Sequence, residues 1–180
     1  MNKTVLRKSR RLMEVAFNLV FTHFPSHNLR LAVLRLAGAR IGSAVSILRG
    51  TTVLAADRLE IGNSVSIGFR CLLDSRGGLS IGDRTVLASD TQIITAAHEV
   101  QSPTFAAYMQ PVRIGSYVWL ASRVTVLPGV SIEDRAVVGA CSLVRSDVGE
   151  SLIAAGIPAR EIGRRTAELN YDPAYRPLFY

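Results

Sequence analysis

The chain has 180 residues, 48% of them hydrophobic, which suffices for one ordinary domain with a solid core and falls short of two of typical size. Its formal charge of +7 is unevenly placed: residues 1–40 carry Lys3, Arg7, Lys8, Arg10, Arg11, Arg30, Arg35 and Arg40 against Glu14 alone, while from Ile41 onward thirteen arginines balance thirteen acids. Glu14, Asn18, Arg30 and Arg35 interrupt every apolar run well short of the roughly 18 to 20 residues a membrane span needs.

In chain order, Arg7 to Phe24 and His27 to Leu36 suit helices, with Pro25-Ser26 as the break and Ser26 as a candidate N-cap. The basic start and the apolar stretch Val15 to Phe24 have the outline of a signal peptide. Glu14 and Asn18 fit such a core poorly and no small-x-small cleavage site follows, so the chain reads as cytoplasmic. Cations alternating with Leu, Val and Phe admit two roles that are compatible. The favoured one is a helical cap on the fold that follows; the other is contact with an anionic lipid surface, at roughly 1 kcal/mol per cation. Nucleic-acid binding fits less well, because aromatics are not interleaved with the cations and no reader motif is present.

From Ile41 an aliphatic residue recurs every six positions: Ile41, Ile47, Val53; Ile61, Ile67, Leu73; Ile81, Leu87, Ile93; Ile114, Leu120, Val126; Ile132, Val138, Val144. Four of these triplets open with the same pair, Ile-Gly, at positions 41, 61, 81 and 114. A second register of small or β-branched residues, such as Val45, Thr51, Val65, Cys71, Thr85 and Thr91, follows four residues after each aliphatic. This period is neither helical nor alternating. One inward aliphatic per flat and a small residue at each corner predict an all-β, parallel β-helix of three flats and about eighteen residues per coil. The coil starts at 41, 61 and 81 are twenty apart, which predicts two-residue bulges near Arg58 to Glu60 and near Gly77 to Leu79. Cys71 and Cys141 have neither metal-clip spacing nor the density of a disulfide scaffold, and both read as small buried fillers. The predicted organisation is a basic helical segment over 1–40, the β-helix over 41–164 and a tail over 165–180.

The period breaks at Ala97 to Pro111 and resumes in register at Ile114, which predicts a loop protruding near 98–111 from a rigid scaffold. After Val148 the chain runs through Ala155-Gly-Ile-Pro-Ala-Arg160 into a tail, Glu168 to Tyr180, predicted to be partly ordered on a neighbour.

These residues resemble the hexapeptide-repeat acyltransferases with left-handed parallel β-helices, and among them the galactoside, maltose and polysaccharide O-acetyltransferases. The resemblance covers roughly Ile41 to Arg164. It rests on Thr95-Ala-Ala-His98, Ile114-Gly-Ser-Tyr-Val-Trp-Leu-Ala-Ser-Arg-Val124, Val126-Leu-Pro-Gly129, Val138-Gly-Ala-Cys-Ser-Leu-Val144 and Gly156-Ile-Pro-Ala-Arg160, in that order and spacing. The lead-in from Pro25-Ser-His27 to Leu36-Ala-Gly-Ala-Arg-Ile-Gly42 resembles acetyltransferases of surface-polysaccharide gene clusters.

The resemblance implies transfer of acetyl from acetyl-CoA, as co-substrate, to a hydroxyl of a sugar or surface-polysaccharide intermediate. An antibiotic acceptor is the alternative, and a catalytically silent scaffold a more distant one. A hydroxyl attacking a thioester must lose its proton as it attacks, and a positioned neutral imidazole is the side chain suited to this near pH 7, typically contributing about 10² to 10⁴ in rate. His98 is the single histidine of the repeat region and matches the family's general base. No Ser or Cys near it carries a nucleophile signature, so direct transfer is the simpler reading.

For CoA, the resemblance points to Ser122 at the thioester end and Trp119 beside the pantetheine arm. It places Ala121 and Ala140 where the arm passes, and Arg145, Arg160 and Arg164 at the phosphates. Arg145 departs from the galactoside enzymes, where the cation falls one residue later. The turn the family makes at Ile157-Pro158 implies a cis bond. Asp74 and Asp90 are the acceptor candidates, and both also suit solvated corners. Ile67 stands near where those enzymes carry an asparagine, which sets galactoside specificity in doubt. No metal is expected: a carbonic anhydrase on this coil needs three zinc-binding histidines. The family implies a homotrimer, with His98 of one subunit facing CoA held partly by its neighbour.

Overall fold

The computed structural model describes residues 3–173. Helix α1 (Lys3–Leu19) starts and stops earlier than the sequence pattern predicts, and a short 3₁₀ turn, Phe21–His23, completes the span. Helix α2 (His27–Leu36) is capped as predicted, Ser26 accepting from the Leu29 N–H.

From Arg40 the backbone winds as a left-handed parallel β-helix whose flats stack into three parallel sheets, A, B and C. Sheet A aligns Ile41, Ile61, Ile81, Ile114 and Ile132. Sheet B aligns Ile47, Ile67, Leu87, Leu120 and Val138. Sheet C aligns Val53, Leu73, Ile93, Val126 and Val144. These are the residues of the six-residue rhythm, and they form one buried aliphatic column together with the second register from Val45 to Val148. Burying a Leu, Ile or Val side chain contributes about 1.5 to 3 kcal/mol, so the column is the main source of stability.

The corners explain the repeated Ile-Gly pair. A Cβ on Gly62 would lie 2.3 Å from Asp83 Oδ1, and one on Gly115 would lie 2.3 Å from Asp134 Oδ1. Those carboxylates accept the Asn63 and Ser116 backbone N–H groups of the coil below. Glycine is therefore required by close approach between coils. One further residue along, Ala44, Ser64, Arg84, Tyr117, Arg135 and Ser151 all turn the A-to-B corner with φ between 53° and 65°. Arg70, Asp90, Arg123 and Cys141 do the same from B to C. A left-handed residue costs roughly 1 kcal/mol or more for a non-glycine. Here its N–H donates to a carbonyl of the preceding coil, as from Ser64 to Ser43, Tyr117 to Asp83 and Cys141 to Ser122, so the ladder holds the strained residue in place.

Two expectations are corrected by these corners. The extra residues of the first two coils lie at a 3₁₀ turn, Ala56–Arg58, and at 75–78, a step before the predicted bulges, because sheet A already starts at Leu59 and Leu79. Cys71 is buried as predicted, and burial pushes its thiol up to about 12. Cys141 is exposed, since it occupies the turning position of its corner.

The N-terminal helices cap the coil stack by completing the hydrogen bonds of its first coil. Arg35 donates to the Ile41 and Gly42 carbonyls, Arg30 to Ile47, and Thr22 to Thr51. Asn18 both donates to and accepts from Val53, while Glu14 accepts the Ala56 N–H at 2.8 Å. Arg30 is fully buried, and that burial pulls its guanidinium down to about 10. Phe17, Leu31 and Leu34 supply the apolar contact. Among the described residues no helix is long and apolar enough to cross a membrane. The predicted tail contact falls partly on 174–180, outside the described residues.

Candidate active site

After Ile93 the chain leaves the coil and returns to sheet A at Val112, which pairs with Leu79. The excursion is an antiparallel hairpin, Ala96–His98 against Ala107–Met109, with His98 opposite Ala107. Its tip is closed by backbone bonds from Glu99 to Ala106 and from Phe105 to Ser102, and the Ser102 hydroxyl accepts the Ala106 N–H.

His98 is exposed on this hairpin, its Nδ1 2.8 Å from the Phe105 carbonyl. A carbonyl only accepts, so Nδ1 carries the proton and a neutral ring presents its lone pair at Nε2. The Phe105 ring stacks on the imidazole at 4.2 Å, 6° from parallel. One residue thus fixes both tautomer and ring plane. In the sequence Phe105 falls only within the broken period from Ala97 to Pro111; a turn residue seven positions after the histidine leaves no pattern to detect.

The root of the hairpin is fastened by Asp74. This carboxylate is 1% exposed and accepts from the Arg76 N–H and guanidinium and, 3.1 Å away, from the Thr95 N–H. Burial alone would raise its pKa; the Arg76 guanidinium, with the Arg76 and Thr95 N–H groups, more than offsets this and holds the carboxyl below its ordinary value. Thr95 Oγ1 also accepts the Gly77 N–H, and the Thr95 carbonyl accepts from Gln110 on the returning strand. In this chain, therefore, both oxygens of Asp74 are engaged in holding the segment three residues before His98.

The CoA candidates gather elsewhere. Trp119 stands on sheet B with 46% of its surface exposed, so its ring points away from the core. Ala121 is buried beneath the corner, while Ser122 and Ala140 lie exposed on successive B-to-C corners. The Ser122 carbonyl accepts the Cys141 N–H at 2.9 Å. Arg160 and Arg164 belong to the strand Ala159–Arg164, which pairs antiparallel with Leu152–Gly156 and extends sheet B. The Ile157-Pro158 bond joining these strands is cis, as the resemblance implies.

Two predicted residues fall apart from their groups. Arg145 follows the sheet C strand Leu143–Val144 and is exposed on the C-to-A edge, away from Arg160 and Arg164. Asp90 sits on the B-to-C edge, paired with Arg70, whose hydrogen bond holds its carboxyl below the ordinary value. Within one chain, His98 and Asp74 therefore mark one edge of sheet C, and Ser122, Ala140 and Asp90 the other. Acyl transfer needs the reacting atoms about 3 to 3.5 Å apart, whereas a three-residue flat alone spans about 10 Å.

Comparison with known proteins bears on the whole arrangement. Residues 111–146 match the model of the bacterial transferase hexapeptide family (six repeats). The putative colanic acid biosynthesis acetyltransferase WcaF of Escherichia coli K12 is 34% identical over 136 residues, covering 76% of this chain and 75% of the relative. The galactoside O-acetyltransferase of the same organism is 32% identical over 107 residues, 58% of this chain and 53% of the relative. Among solved structures, galactoside acetyltransferase in complex with coenzyme A superposes with a TM-score of 0.78 at 24% identity, over 91% of this chain and 84% of that one. A Vibrio cholerae hexapeptide-repeat acetyltransferase complexed with acetyl-CoA has the same TM-score at 23% identity, over 89% and 87%. With its sixfold rhythm realised as stacked coils and a relative aligned along three quarters of its length, the chain belongs to the hexapeptide-repeat acyltransferases, in their acetyltransferase branch.

Proposed function

We propose that this protein transfers acetyl from acetyl-CoA to a hydroxyl of a sugar or surface-polysaccharide intermediate, directly, with His98 as general base. The observation that carries the reading is the Phe105 carbonyl on Nδ1, which leaves Nε2 as the proton acceptor on an exposed, oriented ring. Nε2 takes the acceptor's proton as its oxygen attacks the thioester carbon, and the thiolate of CoA leaves. The tetrahedral oxyanion is met by the backbone at Ser122. Trp119 lines the pantetheine arm, Ala121 and Ala140 leave it room, and Arg160 and Arg164 take the phosphates, with Arg145 on a neighbouring edge.

A homotrimer completes the site. In one chain the base and the CoA groups lie at opposite edges of sheet C, and the hairpin exposes Val100, Phe105, Tyr108 and Met109, an apolar surface suited to a partner. The imidazole of one subunit then faces CoA seated on the next. Names of two relatives favour a carbohydrate acceptor, colanic acid in one and a galactoside in the other. Contact with an inner membrane surface through the basic α1 suits an intermediate of this kind.

The test is acetyl-CoA consumption across nucleotide sugars, polysaccharide fragments and antibiotics, with wild type and His98→Ala side by side. Turnover lost in the variant with CoA binding retained supports the reading. Turnover that survives the substitution, or saturable binding of CoA without turnover on any acceptor, sinks it.

A further inference from the structure

The hairpin leaves the prism at a C-to-A corner, and the corners stacked beneath it, at 55–58 and 75–78, lie along the same edge. Helix α1 runs beside that edge. Between them is a cavity of about 460 Å³ lined by five arginines, Arg7, Arg10 and Arg11 from the helix and Arg58 and Arg76 from the coils, the Arg76 guanidinium being already engaged by Asp74. Two carboxylates, Glu14 and Asp57, also reach it, and Glu14 is already committed to the Ala56 N–H. Among the described residues Arg7, Arg10 and Arg11 form no ion pair. Beside it, glycine at position 38 lets Asp57 and Arg10 approach, since a Cβ there would lie 2.9 Å from the Asp57 Cβ and 3.2 Å from the Arg10 side chain.

The far wall is Met109, which pairs with Ala96 at the root of the hairpin. His98 is two residues further along that strand, about 7 Å at the rise of a β-strand. The CoA candidates Arg160 and Arg164 belong to the last coil and to sheet B, so this cationic groove is separate from them. It also differs from the exposed apolar stripe of α1, where Val5, Leu12 and Leu19 recur every seven residues on another face.

We propose that this groove seats a phosphate or diphosphate carried by the acceptor, so that the substrate is a phosphorylated or diphosphate-linked sugar whose hydroxyl reaches His98. Arginines present planar forks of donors that match phosphate oxygens, and several converging on one concave site select for more than one negative charge. The phosphate anchors the acceptor and the sugar extends along the hairpin toward Nε2. This inference rests on acetyl transfer at His98.

Inorganic pyrophosphate is the probe. It is titrated by calorimetry into the full chain saturated with CoA, which occupies the other phosphate site. The expected result is saturable binding that weakens about tenfold or more in Arg10→Ala/Arg11→Ala. Alanine is the best helix former, so the double variant preserves α1, and Arg58→Gln on the coil wall repeats the test without touching the helix. Absence of saturable binding, or binding indifferent to both groove variants, overturns the proposal. So does loss of phosphatidylglycerol vesicle capture in these variants with no pyrophosphate binding in wild type, which makes the groove a lipid headgroup site. Failure of the acetyl-transfer reading shows separately, as CoA that does not bind or turnover indifferent to His98→Ala.

Discussion

Two edges of the same prism follow opposite rules. Along the A-to-B edge the corners that open at Ile41, Ile61, Ile81 and Ile114 repeat one solution: Ile, then a glycine with almost no room, then a carboxylate, amide or hydroxyl residue, then a left-handed residue whose N–H, from the second coil on, reaches the coil before. Along the C-to-A edge no two early corners agree: a 3₁₀ turn at Ala56–Arg58, a glycine pair with a buried Asp74–Arg76 contact, then the His98 hairpin. The uniform edge bears the stacking and tolerates no change of course. The irregular edge is fastened by side chains instead of by the repeat, and it is there that His98 and a cluster of arginines are placed.

The largest effect expected from this contrast is chemical. His98→Ala lowers kcat about 10²- to 10⁴-fold, some 3 to 5 kcal/mol of barrier, while the melting temperature stays put, because the side chain is exposed. Gly115→Ala on the uniform edge does the reverse. Its new Cβ lies 2.7 Å from the Asp134 backbone nitrogen, and two coils must separate, at a cost of roughly 3 kcal/mol measured by denaturant unfolding. An edge insensitive to that methyl would dissolve the distinction.

Asp74→Asn tests whether the irregular edge serves the base. Losing the Arg76 ion pair from a buried carboxylate whose partner is half in solvent costs about 2 kcal/mol. Freed at Thr95, the hairpin lowers kcat with the KM for acetyl-CoA unchanged. Since the folded carboxyl sits below its ordinary value, its stabilisation is full above the unfolded pKa of about 4 and is lost as pH falls through the lower folded value. The stability gap between wild type and Asp74→Asn is therefore flat from pH 5 to 8 and closes in acid. The smallest effect belongs to a corner: Cys141→Val, a β-branched residue at φ 59°, destabilises by about 1 kcal/mol, whereas Cys141→Ser is neutral in thermal unfolding.

The same contrast explains what could be read from the residues. A six-residue rhythm is a one-dimensional signal, so the column, the three flats and the return to register at Ile114 were all legible, as was the exit that exposes His98. The left-handed corners were not, because Ala, Ser, Arg, Tyr and Cys share no side-chain property there. Only the backbone ladder, which any residue provides, sets their conformation. Asp74 was singled out as facing an acceptor. Its engagement with Thr95 depends on a contact across 21 positions that no local pattern encodes. The arginine groove is a case of the same kind: the surplus cations near the start were visible, but the wall they share with Arg58 and Arg76 arises only when α1 lies beside the irregular edge.

The way α1 and α2 finish the first coil has a consequence for assembly. Each carbonyl and amide that a further coil would pair with at Ile41, Ile47, Thr51 and Val53 already has a side chain bonded to it. A solenoid with a bare terminus is a template on which a second chain can continue the winding. Here the helices act as a stopper that closes this end of the stack to a second winding chain, and a variant stripped of the stopper gains a terminus from which fibres can grow.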